Sequence, residues 1–545
     1  MTQGSATAAG WALALMAVLS LAPDAAGAGP RLVTDARVAT IDAGPDAFAA
    51  RQVLAHEARR TLDLQYFIWE GDVTGSTLMG ELIAAADRGV KVRMLLDDAS
   101  SSGIVGGLTK LVLRHTRAVS DKLDEGAGIV GLREKRWERK DALRRLLKDL
   151  RSGGRDTVAA ALASHPNIEV RYFNPFRARG LAGALRAIEF LGDFWRLNRR
   201  MHNKAFIMDR RVAVMGGRNV SDSYFGYGER YNFRDLDLLV EGPAVTGIAS
   251  DFDAYWNSPQ AVPAHSFWLD RPARKNLDVL REELAHFWET SGDRPTLADA
   301  MPRMARVRKG LISVKASVVS DSPRKAERPS REVAETLEKI SSESLEEVLI
   351  EHAYFIPTSQ EFPDFERALQ RGVRVRVLTN SASSNDNMLA AAGYKRHRTR
   401  VVRMGVELHE LRPDNHLLQT AGRGGGVSGM HTKAAVFDGR RVFVGTFNLD
   451  PRSASLNTEI GLLIESRALA AQVSRRIHQG MQEGESWVVI IDKTGKFPVA
   501  VVAPGGRLAW IGGGRTKTHF NEPQMGLWRR IKLTMLSWLP LDPLL

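Results

Sequence analysis

The chain contains two near-copies of one short pattern, and this duplication limits its possible folds more than any other feature. Residues 201–209 read Met-His-Asn-Lys-Ala-Phe-Ile-Met-Asp, and residues 430–438 read Met-His-Thr-Lys-Ala-Ala-Val-Phe-Asp. With 13 His in the chain and with Lys and Asp each at about one residue in twenty, chance predicts about 0.03 matches to this spacing. Each copy continues through a second apolar strand into a Gly-x-x-Asn sequence, at 216–219 and at 445–448.

The repeated pattern indicates phosphodiester chemistry. Alternate side chains of a strand share a face, so the His and the Lys of each copy point together. One imidazole can attack phosphorus, the other can protonate the leaving oxygen, and the two ammonium groups can hold the phosphate oxygens. The Asn that ends each copy would add a neutral donor to the same oxygens. The candidate residues are His202, Lys204, Asn219, His431, Lys433 and Asn448.

The duplication extends beyond the two motifs, which predicts two homologous halves. Near-continuous apolar strands alternate with helices, so each half is predicted to be a mixed β-sheet flanked by helices, within the α/β class. The halves are predicted to pack with pseudo-two-fold symmetry, so that the two motif histidines meet at the axis. The matched segments are 63–69 with 351–357, 85–96 with 368–379, 167–172 with 405–410, and 234–241 with 458–465.

These strings resemble the phospholipase D superfamily, whose active site is built from two His-Lys-Asp motifs. The strings at 447–453 and 235–242 are similar to its cardiolipin synthase branch, and the resemblance covers most of residues 35–545. It implies that Asp209 and Asp438, at the far ends of their strands, brace the fold without touching substrate.

The resemblance also implies that a downstream carboxylate binds the far nitrogen of each catalytic imidazole and sets its tautomer. The duplication aligns Asp235 with Glu459, and these are the predicted orienting residues. Asp237 is the alternative, and a simple salt bridge at a strand end is the competing interpretation for any of them. Arg452 and Ser453 are further candidates for phosphate or headgroup contacts.

The activity implied is a phosphatidyltransferase that forms cardiolipin from phosphatidylglycerol through a phosphatidyl-histidine on His202, with His431 as the acid and base. The phosphatidyl donor is phosphatidylethanolamine or a second phosphatidylglycerol; the Tyr-Phe-Ile-Trp and Phe-Arg-Asp-Leu-Asp strings look most like a synthase type that uses phosphatidylethanolamine. No metal or cofactor is required. The rival functions are a phospholipid hydrolase that releases phosphatidic acid, a nuclease of the same fold, and a non-catalytic membrane-binding protein.

Net charge and the first residues bear on location. A formal net charge of +13 favours a polyanionic partner, either nucleic acid or an anionic membrane surface. Residues 8–22 form an apolar run, and Ala26-Gly-Ala28 follows it, which is typical of a cleaved secretory signal. An uncleaved anchor or a disordered leader is the alternative. The predicted location is the bacterial inner membrane, at the periplasmic face, in contact with phospholipids and without nucleic acid.

The predicted organisation has five parts. Asymmetry between the halves places a basic insertion in the first domain, either a solvated helical hairpin or a flap that binds anionic headgroups. The parts are a signal-like or anchor segment at 1–28, a first phospholipase D-like domain at 35–257 with its insertion at about 102–165, a linker at 258–340, a second such domain at 341–485, and a β appendix with an amphipathic helix at 486–545.

Three further stretches carry open alternatives. Asp97-Asp98 fits a metal-binding pair or, more simply, a surface turn. Residues 321–325 fit a phosphate-binding turn or a surface loop. The helix within 527–539 places Trp528, Ile531 and Met535 on one face beside Arg and Lys, which suits either an interfacial membrane helix or a helix packed on its own domain.

Overall fold

The structure is a computed structural model, and it does not describe every part of the chain. The predicted leader and most of the predicted basic insertion lie outside the described part. Within that part, none of the helices combines the length and the apolar character that a membrane span requires. The described residues are 33–98, 157–177, 188–267, 275–290, 295–418, 426–492, 507–512, 518–519 and 521–539.

The strands are short and mostly buried. They are β1 (Thr34–Ile41), β2 (Thr61–Tyr66), β3 (Lys91–Asp97), β4 (Ile168–Phe173), β5 (Ala205–Met208), β6 (Val212–Gly216), β7 (Tyr231–Arg234), β8 (Asp237–Glu241), β9 (Ala261–Pro263), β10 (Ile312–Ser320), β11 (Glu347–His352), β12 (Arg374–Asn380), β13 (Glu407–Leu411), β14 (Val427–Met430), β15 (Lys433–Phe437), β16 (Arg441–Gly445), β17 (Ile460–Glu465), β18 (Ser486–Asp492), β19 (Arg507–Ile511) and β20 (Thr518–His519).

Helices alternate with these strands and cover them. They are α1 (Gly44–Glu57), α2 (Val73–Asp87), α3 (Thr157–Ala163), α4 (Phe194–Leu197), α5 (Asp222–Phe225), α6 (Ala244–Trp256), α7 (Lys275–Thr290), α8 (Leu297–Lys309), α9 (Glu332–Ser342), α10 (Phe362–Gln370), α11 (Met388–Met404), α12 (Pro451–Ser455), α13 (Arg467–Gly480) and α14 (Leu527–Ser537).

Hydrogen bonds join eighteen of these strands into one sheet, whereas β7 and β14 form a separate two-stranded parallel sheet. The order is β9-β4-β3-β2-β5-β6-β8-β1 in the first half and β10-β17-β16-β15-β11-β12-β13-β18-β19-β20 in the second. β1 and β10 pair antiparallel where the halves meet. Each half has parallel strands (β2-β3-β4; β11-β12-β13) beside antiparallel ones. The predicted α/β class, with two homologous mixed sheets, is confirmed.

The sheet of each half is covered on both faces. One apolar core lies between the halves and contains side chains from both, including Val38, Ile207 and Leu462. Two other cores lie under the outer helices, around Leu62 in the first half and Val348 in the second. Burial on both faces explains why the strands read as continuous apolar runs rather than alternating ones.

The predicted linker at 258–340 is not a spacer. It contains β10, which pairs with β17 just as β1 pairs with β8, so we propose that the second half begins at this strand. Upstream of it, α8 packs on α1 by burying Met304 and Val307 in the core of the first half. Arg308 adds an ion pair with Glu57. The exact domain boundaries stay a prediction.

One of the predicted matches between the halves is wrong by two residues. The sequence aligns 63–69 with 351–357. The pairing of β2 with β3 and of β11 with β12 instead makes Tyr66 the counterpart of His352. A shift of two residues leaves every side chain on its own face of the strand, so the apolar pattern does not reveal it.

The C-terminal part continues the second half. β18 pairs with β13 and with β19, so the predicted appendix extends the sheet. The final helix, α14, packs on α11 by burying Leu533, and Lys395 donates a hydrogen bond to Thr534. The helix therefore docks on its own domain, but it leaves the Trp528 and Met535 side chains 44% and 60% exposed.

Asp209 and Asp438 each close a turn at the far end of a motif strand. Both have a positive φ of 51°. The Asp209 carboxylate accepts hydrogen bonds from the backbone N–H groups of residues 59–61, and Asp438 does the same for residues 345–347. Each carboxylate thereby ties its motif strand to the start of the neighbouring strand.

We expect Asp209→Ala to lower the free energy of unfolding by about 2–3 kcal/mol, because three N–H groups lose a charged acceptor. Asp209→Asn keeps one acceptor oxygen and should lose less. Asp35→Ala, which removes an exposed ion pair with Lys315, is the control and should change stability by less than about 1 kcal/mol. Chemical denaturation measures all three. An unaltered midpoint for Asp209→Ala would contradict a bracing role.

Candidate active site

The two motif histidines face each other where the halves meet. The ring centroids of His202 and His431 lie 6.5 Å apart, and the residues are only 6% and 5% exposed. Each histidine is held by backbone from the opposite half: His202 N donates to the carbonyl of Thr458, and His431 N donates to that of Arg234. The separation leaves room for one phosphorus centre between the two rings.

The orienting carboxylates are exchanged between the halves. His202 Nδ1 lies 2.8 Å from Glu459 Oε2, and His431 Nδ1 lies 2.9 Å from Asp235 Oδ2. The predicted pair of carboxylates is thus in contact with the histidines, each with the histidine of the other half. The alternative, Asp237, forms a buried ion pair with Arg51 instead.

Each lysine lies beside its own histidine. Lys204 Nζ donates to the His202 carbonyl at 2.6 Å, and Lys433 Nζ donates to the His431 carbonyl at 2.5 Å. Burial lowers the pKa of Lys204 to about 7 and that of Lys433 to about 8, although the nearby carboxylates oppose both shifts. A bound phosphate anion would favour the charged forms.

Both imidazoles are neutral near pH 7 before substrate binds. Burial lowers the pKa of His202 to about 4, against the opposing effect of Glu459. Burial and the two ammonium groups hold the pKa of His431 well below its ordinary value. A neutral ring that donates Nδ1–H to a carboxylate carries its lone pair on Nε2. This nitrogen is therefore free to attack phosphorus.

The two asparagines differ from each other. Asn219 donates its amide to the Tyr224 hydroxyl at 2.9 Å and accepts from the backbone of Ile68. Asn448 has a buried amide oxygen without a hydrogen-bond partner among the described residues. Asn219 is therefore occupied in shaping the loop, whereas the side-chain oxygen of Asn448 is an acceptor that no described donor uses.

Tyr224 is a site residue that the sequence reasoning missed. Its ring centroid lies 5.0 Å from that of His431, in an edge-on arrangement, and Phe233 contacts the same imidazole. Phe67 does the same for His202. The only sequence signal for Tyr224 was an aromatic residue shortly after the Asn219 loop.

Asp97 and Asp98 are neither a metal pair nor a surface turn. Both are fully buried. Asp97 forms an ion pair with Arg200 and accepts from the backbone N–H of Met201, directly before the first motif. At the second motif, the side-chain oxygen of Asn380 likewise accepts a hydrogen bond from the backbone N–H of Met430. These residues fix where each motif strand begins.

Residues 321–325 likewise form a buried support. Asp321 and Lys325 make an ion pair at 2.8 Å, and Asp321 accepts from the backbone N–H of Glu459. Lys325 also donates to the carbonyl of Ser453. The two charged ends of this segment are therefore internal supports, whereas Arg324 between them is exposed.

The predicted headgroup contacts, Arg452 and Ser453, serve internal bonds. The Arg452 guanidinium donates to Asn198, across the boundary between the halves. Ser453 Oγ accepts from the backbone N–H of Asn448. Both residues hold the loop that carries Asn448.

We expect Lys204→Met to raise the free energy of unfolding at pH 7, by on the order of 3 kcal/mol. The folded-state pKa of this lysine, about 7, lies below its ordinary value of 10.5, so the unfolded chain binds more protons between these two values. The cost of burying the charged lysine is fully present below pH 7 and decreases as the pH rises. The gain in stability from Lys204→Met should therefore shrink toward pH 10.

Denaturation at several pH values measures this gain. The exposed Lys339→Met is the control, and it should show no pH-dependent gain. If Lys204→Met were as stable as the unaltered protein at pH 7, or less stable, the attraction between the carboxylates and the charged lysine would outweigh the cost of burying that charge.

Comparison with known proteins agrees with this geometry. The family described as "Cardiolipin synthase, PLD-like domain" matches residues 53–256 and 337–481, with one motif in each segment. The chain is 35% identical to Cardiolipin synthase C of Escherichia coli K12 over 92% of this chain and 94% of that protein. It is 28% identical to an uncharacterized protein of Helicobacter pylori 26695, over 83% and 80%.

Among solved structures, phosphatidylserine synthase of Haemophilus influenzae aligns with a TM-score of 0.49 and 15% identity, over 83% of this chain and 87% of that one. The family match spans both halves of the chain, and the identity to the Escherichia coli relative extends over nearly its whole length. The chain therefore belongs to the cardiolipin synthase family with phospholipase D-like domains, and it is a phosphatidyltransferase.

Proposed function

We propose that this phosphatidyltransferase forms cardiolipin by transferring a phosphatidyl group to phosphatidylglycerol. The donor is phosphatidylethanolamine or a second phosphatidylglycerol. The observation that carries the proposal is the pair of facing imidazoles, each oriented by a carboxylate and flanked by a lysine. The similarity to Cardiolipin synthase C supports the choice of product.

The first step makes a phosphatidyl-histidine. Nε2 of His202 attacks the donor phosphorus, and the bond from phosphorus to the departing alcohol breaks as the phosphorus–nitrogen bond forms. His431 gives its proton to the alcohol oxygen. It must be protonated for this step, and the negative charge of the bound phosphodiester raises its pKa from the low value of the empty site. Lys204 and Lys433 hold the phosphate oxygens.

The second step reverses the roles. His431 takes the proton from a hydroxyl of phosphatidylglycerol, whose oxygen attacks phosphorus. The phosphorus–nitrogen bond breaks, which releases cardiolipin and restores His202. Water in place of this alcohol would give phosphatidic acid by the same groups, so the rival hydrolase differs only in the acceptor. Asn448 donates from its side-chain amide nitrogen to the phosphate oxygens in both steps.

The substrates are lipids, so the protein must meet a membrane surface. Ile188, Leu191 and Trp195 form a first apolar patch, 65%, 78% and 64% exposed. The patch lies a few residues before His202. Exposed aromatic and aliphatic side chains of this kind suit insertion at the lipid interface.

A second apolar patch lies on α14. It consists of Trp528, Ile531, Met535 and Trp538, beside the basic residues of the same helix. The charge of Arg529 lowers the pKa of Tyr231, against the larger effect of burial. Tyr231 belongs to β7, which pairs with β14, the strand that leads into His431. Apolar side chains flanked by cations match an anionic phospholipid surface. We place the protein at the bacterial inner membrane, on the periplasmic face.

The product assay tests the chemistry. Purified protein is incubated with phosphatidylglycerol, with and without phosphatidylethanolamine, and lipids are read by mass spectrometry. We expect cardiolipin from the unaltered protein, and none from His202→Ala or His431→Ala. His416→Ala, at an exposed histidine, is the matched control and should retain activity.

Rapid quenching tests the intermediate. A phosphatidyl adduct should be found on His202, and it should accumulate in His431→Ala when the donor leaving group is a good one. Phosphatidic acid as the sole product would replace the transferase by a hydrolase. Cleavage of DNA without any lipid product would replace it by a nuclease.

Vesicle sedimentation tests the membrane surface. Trp528→Ser with Met535→Ser should lower binding to vesicles rich in phosphatidylglycerol by at least about thirtyfold, since each side chain loses apolar burial worth more than 1 kcal/mol. Leu345→Ser is the control: Leu345 is 76% exposed but lies at the Asp438 end of the motif strand, away from the histidines. Equal binding by the double variant and the unaltered protein would exclude α14 from the membrane surface.

A further inference from the structure

A cavity of about 70 Å³ lies in the second half, between the face of strands β11 and β15 and helices α9 and α10. Its lining is mainly apolar, and its polar lining residues are Glu338, Ser341, His352, Glu361, Asp364 and Asp450. The inner lining residues include Val348, Ile350, Ala435, Phe437, Phe447 and Ala454. An apolar cavity of this kind does not hold water well.

The cavity follows the strands toward the active site. Val348 lies opposite Phe437, Ile350 opposite Ala435, and His352 opposite Lys433. Alternate residues share one face of the sheet, so Lys433 lies on the same face as the cavity lining. The distance along β15 from Phe437 to Lys433 is about 13 Å. Part of a hydrocarbon chain that begins near the phosphate site can therefore lie in this cavity.

The first half fills the same volume. There, Arg51 lies over the Tyr66 and Phe225 rings and Phe48 packs on Phe225. The strand register matches Tyr66 with His352, and equal spacing from Asn219 and Asn448 matches Phe225 with Ala454. The other two matched positions lie on the helix that precedes each strand, α1 before β2 and α9 before β11. Smaller side chains take the place of these four large ones in the second half. Ala334 stands for Phe48, and Leu337 stands for Arg51. His352 stands for Tyr66, and Ala454 stands for Phe225.

His352 presents a hydrogen-bond donor to this cavity. It is 3% exposed, and its Nδ1 accepts from the backbone N–H of Leu449 at 3.0 Å. Burial and the charge of Lys433 lower its pKa to about 3, so the ring is neutral and its hydrogen is on Nε2. Nε2 has no hydrogen-bond partner among the described residues. A buried donor without a partner is costly, which indicates that a ligand supplies the acceptor.

We infer that this cavity binds one acyl chain of the phospholipid substrate, with His352 Nε2–H donating to the ester carbonyl of that chain. The inference rests on the proposed function. A fatty acyl ester combines the two required features, an apolar chain and an acceptor close to the phosphate. At the corresponding position of the first half, large side chains occupy this volume, so the acyl chain binds on the side of the second half.

Chain-length dependence tests the apolar part. Ala334→Phe copies Phe48 of the first half and fills the cavity, whereas Glu335→Phe puts the same ring on the exposed side of α9 and is the matched control. Each buried methylene is worth about a fourfold change in kcat/KM. We expect Ala334→Phe to lower kcat/KM at least tenfold for a donor with sixteen-carbon chains and less than twofold for one with six-carbon chains.

Two outcomes would overturn the inference. One is an unchanged preference for long chains in Ala334→Phe. The other is an equal loss for both chain lengths, since the cavity would then act on the catalytic site rather than on the chain. Glu335→Phe should behave as the unaltered protein with both donors.

A binding readout separates this inference from the proposed function. Phosphatidylglycerol with a photoreactive group within one acyl chain is bound in vesicles and irradiated, and the labelled peptides are identified. We expect label within residues 334–352 and 435–437, lost in Ala334→Phe and retained in Glu335→Phe. Label only on the outer patches would overturn the inference. Label in the cavity of a protein that makes no cardiolipin would refute the proposed reaction and keep the acyl site.

His352→Phe tests the donor. The unaltered protein should bind an ester-linked phosphatidylglycerol more tightly than its ether-linked analogue, which lacks the carbonyl. We expect a preference of about tenfold, which corresponds to one buried hydrogen bond, and its loss in His352→Phe. Equal preference in both proteins would overturn the role of His352.

Discussion

The exchange of carboxylates between the halves is the interaction on which the site depends. Each imidazole is oriented by a carboxylate of the other half, His202 by Glu459 and His431 by Asp235. Two lysines are buried with them, so positive and negative groups leave water together, and removal of either carboxylate would leave the buried lysine charges without compensation. Neither half can therefore form a working site alone, which explains why the pattern is present twice in one chain.

The surrounding structure serves to hold these groups in place. Asp97 and Asn380 fix the residue before each histidine, and the Asp321–Lys325 ion pair holds the backbone of Glu459. β1 and β10 join the sheets of the two halves. Burial of the lysines costs stability, because it disfavours their charged form, and the large shared core offsets that cost. A site of this kind requires a large and rigid scaffold.

The halves have diverged although their sheets have the same order. The first half contains the Arg51–Asp237 ion pair and large aromatic residues beside its motif strand, whereas the second half contains small residues and a cavity. The histidines thus have similar carboxylate partners and different neighbours. Such asymmetry suits a reaction in which one histidine binds the phosphatidyl group and the other moves protons.

Spacing and strand periodicity are local properties, and they sufficed to predict the α/β class, the duplication and the motif residues, whereas the two orienting carboxylates were implied by the family resemblance. The packing of distant segments revealed that the carboxylates are exchanged, that 258–340 contributes a central strand, and that Tyr66 corresponds to His352. It also showed that Asp97 is a buried support and that Tyr224 contacts His431. These facts depend on which distant segments pack together. A period of two residues gives the face of a strand, but it gives neither its register nor its partner.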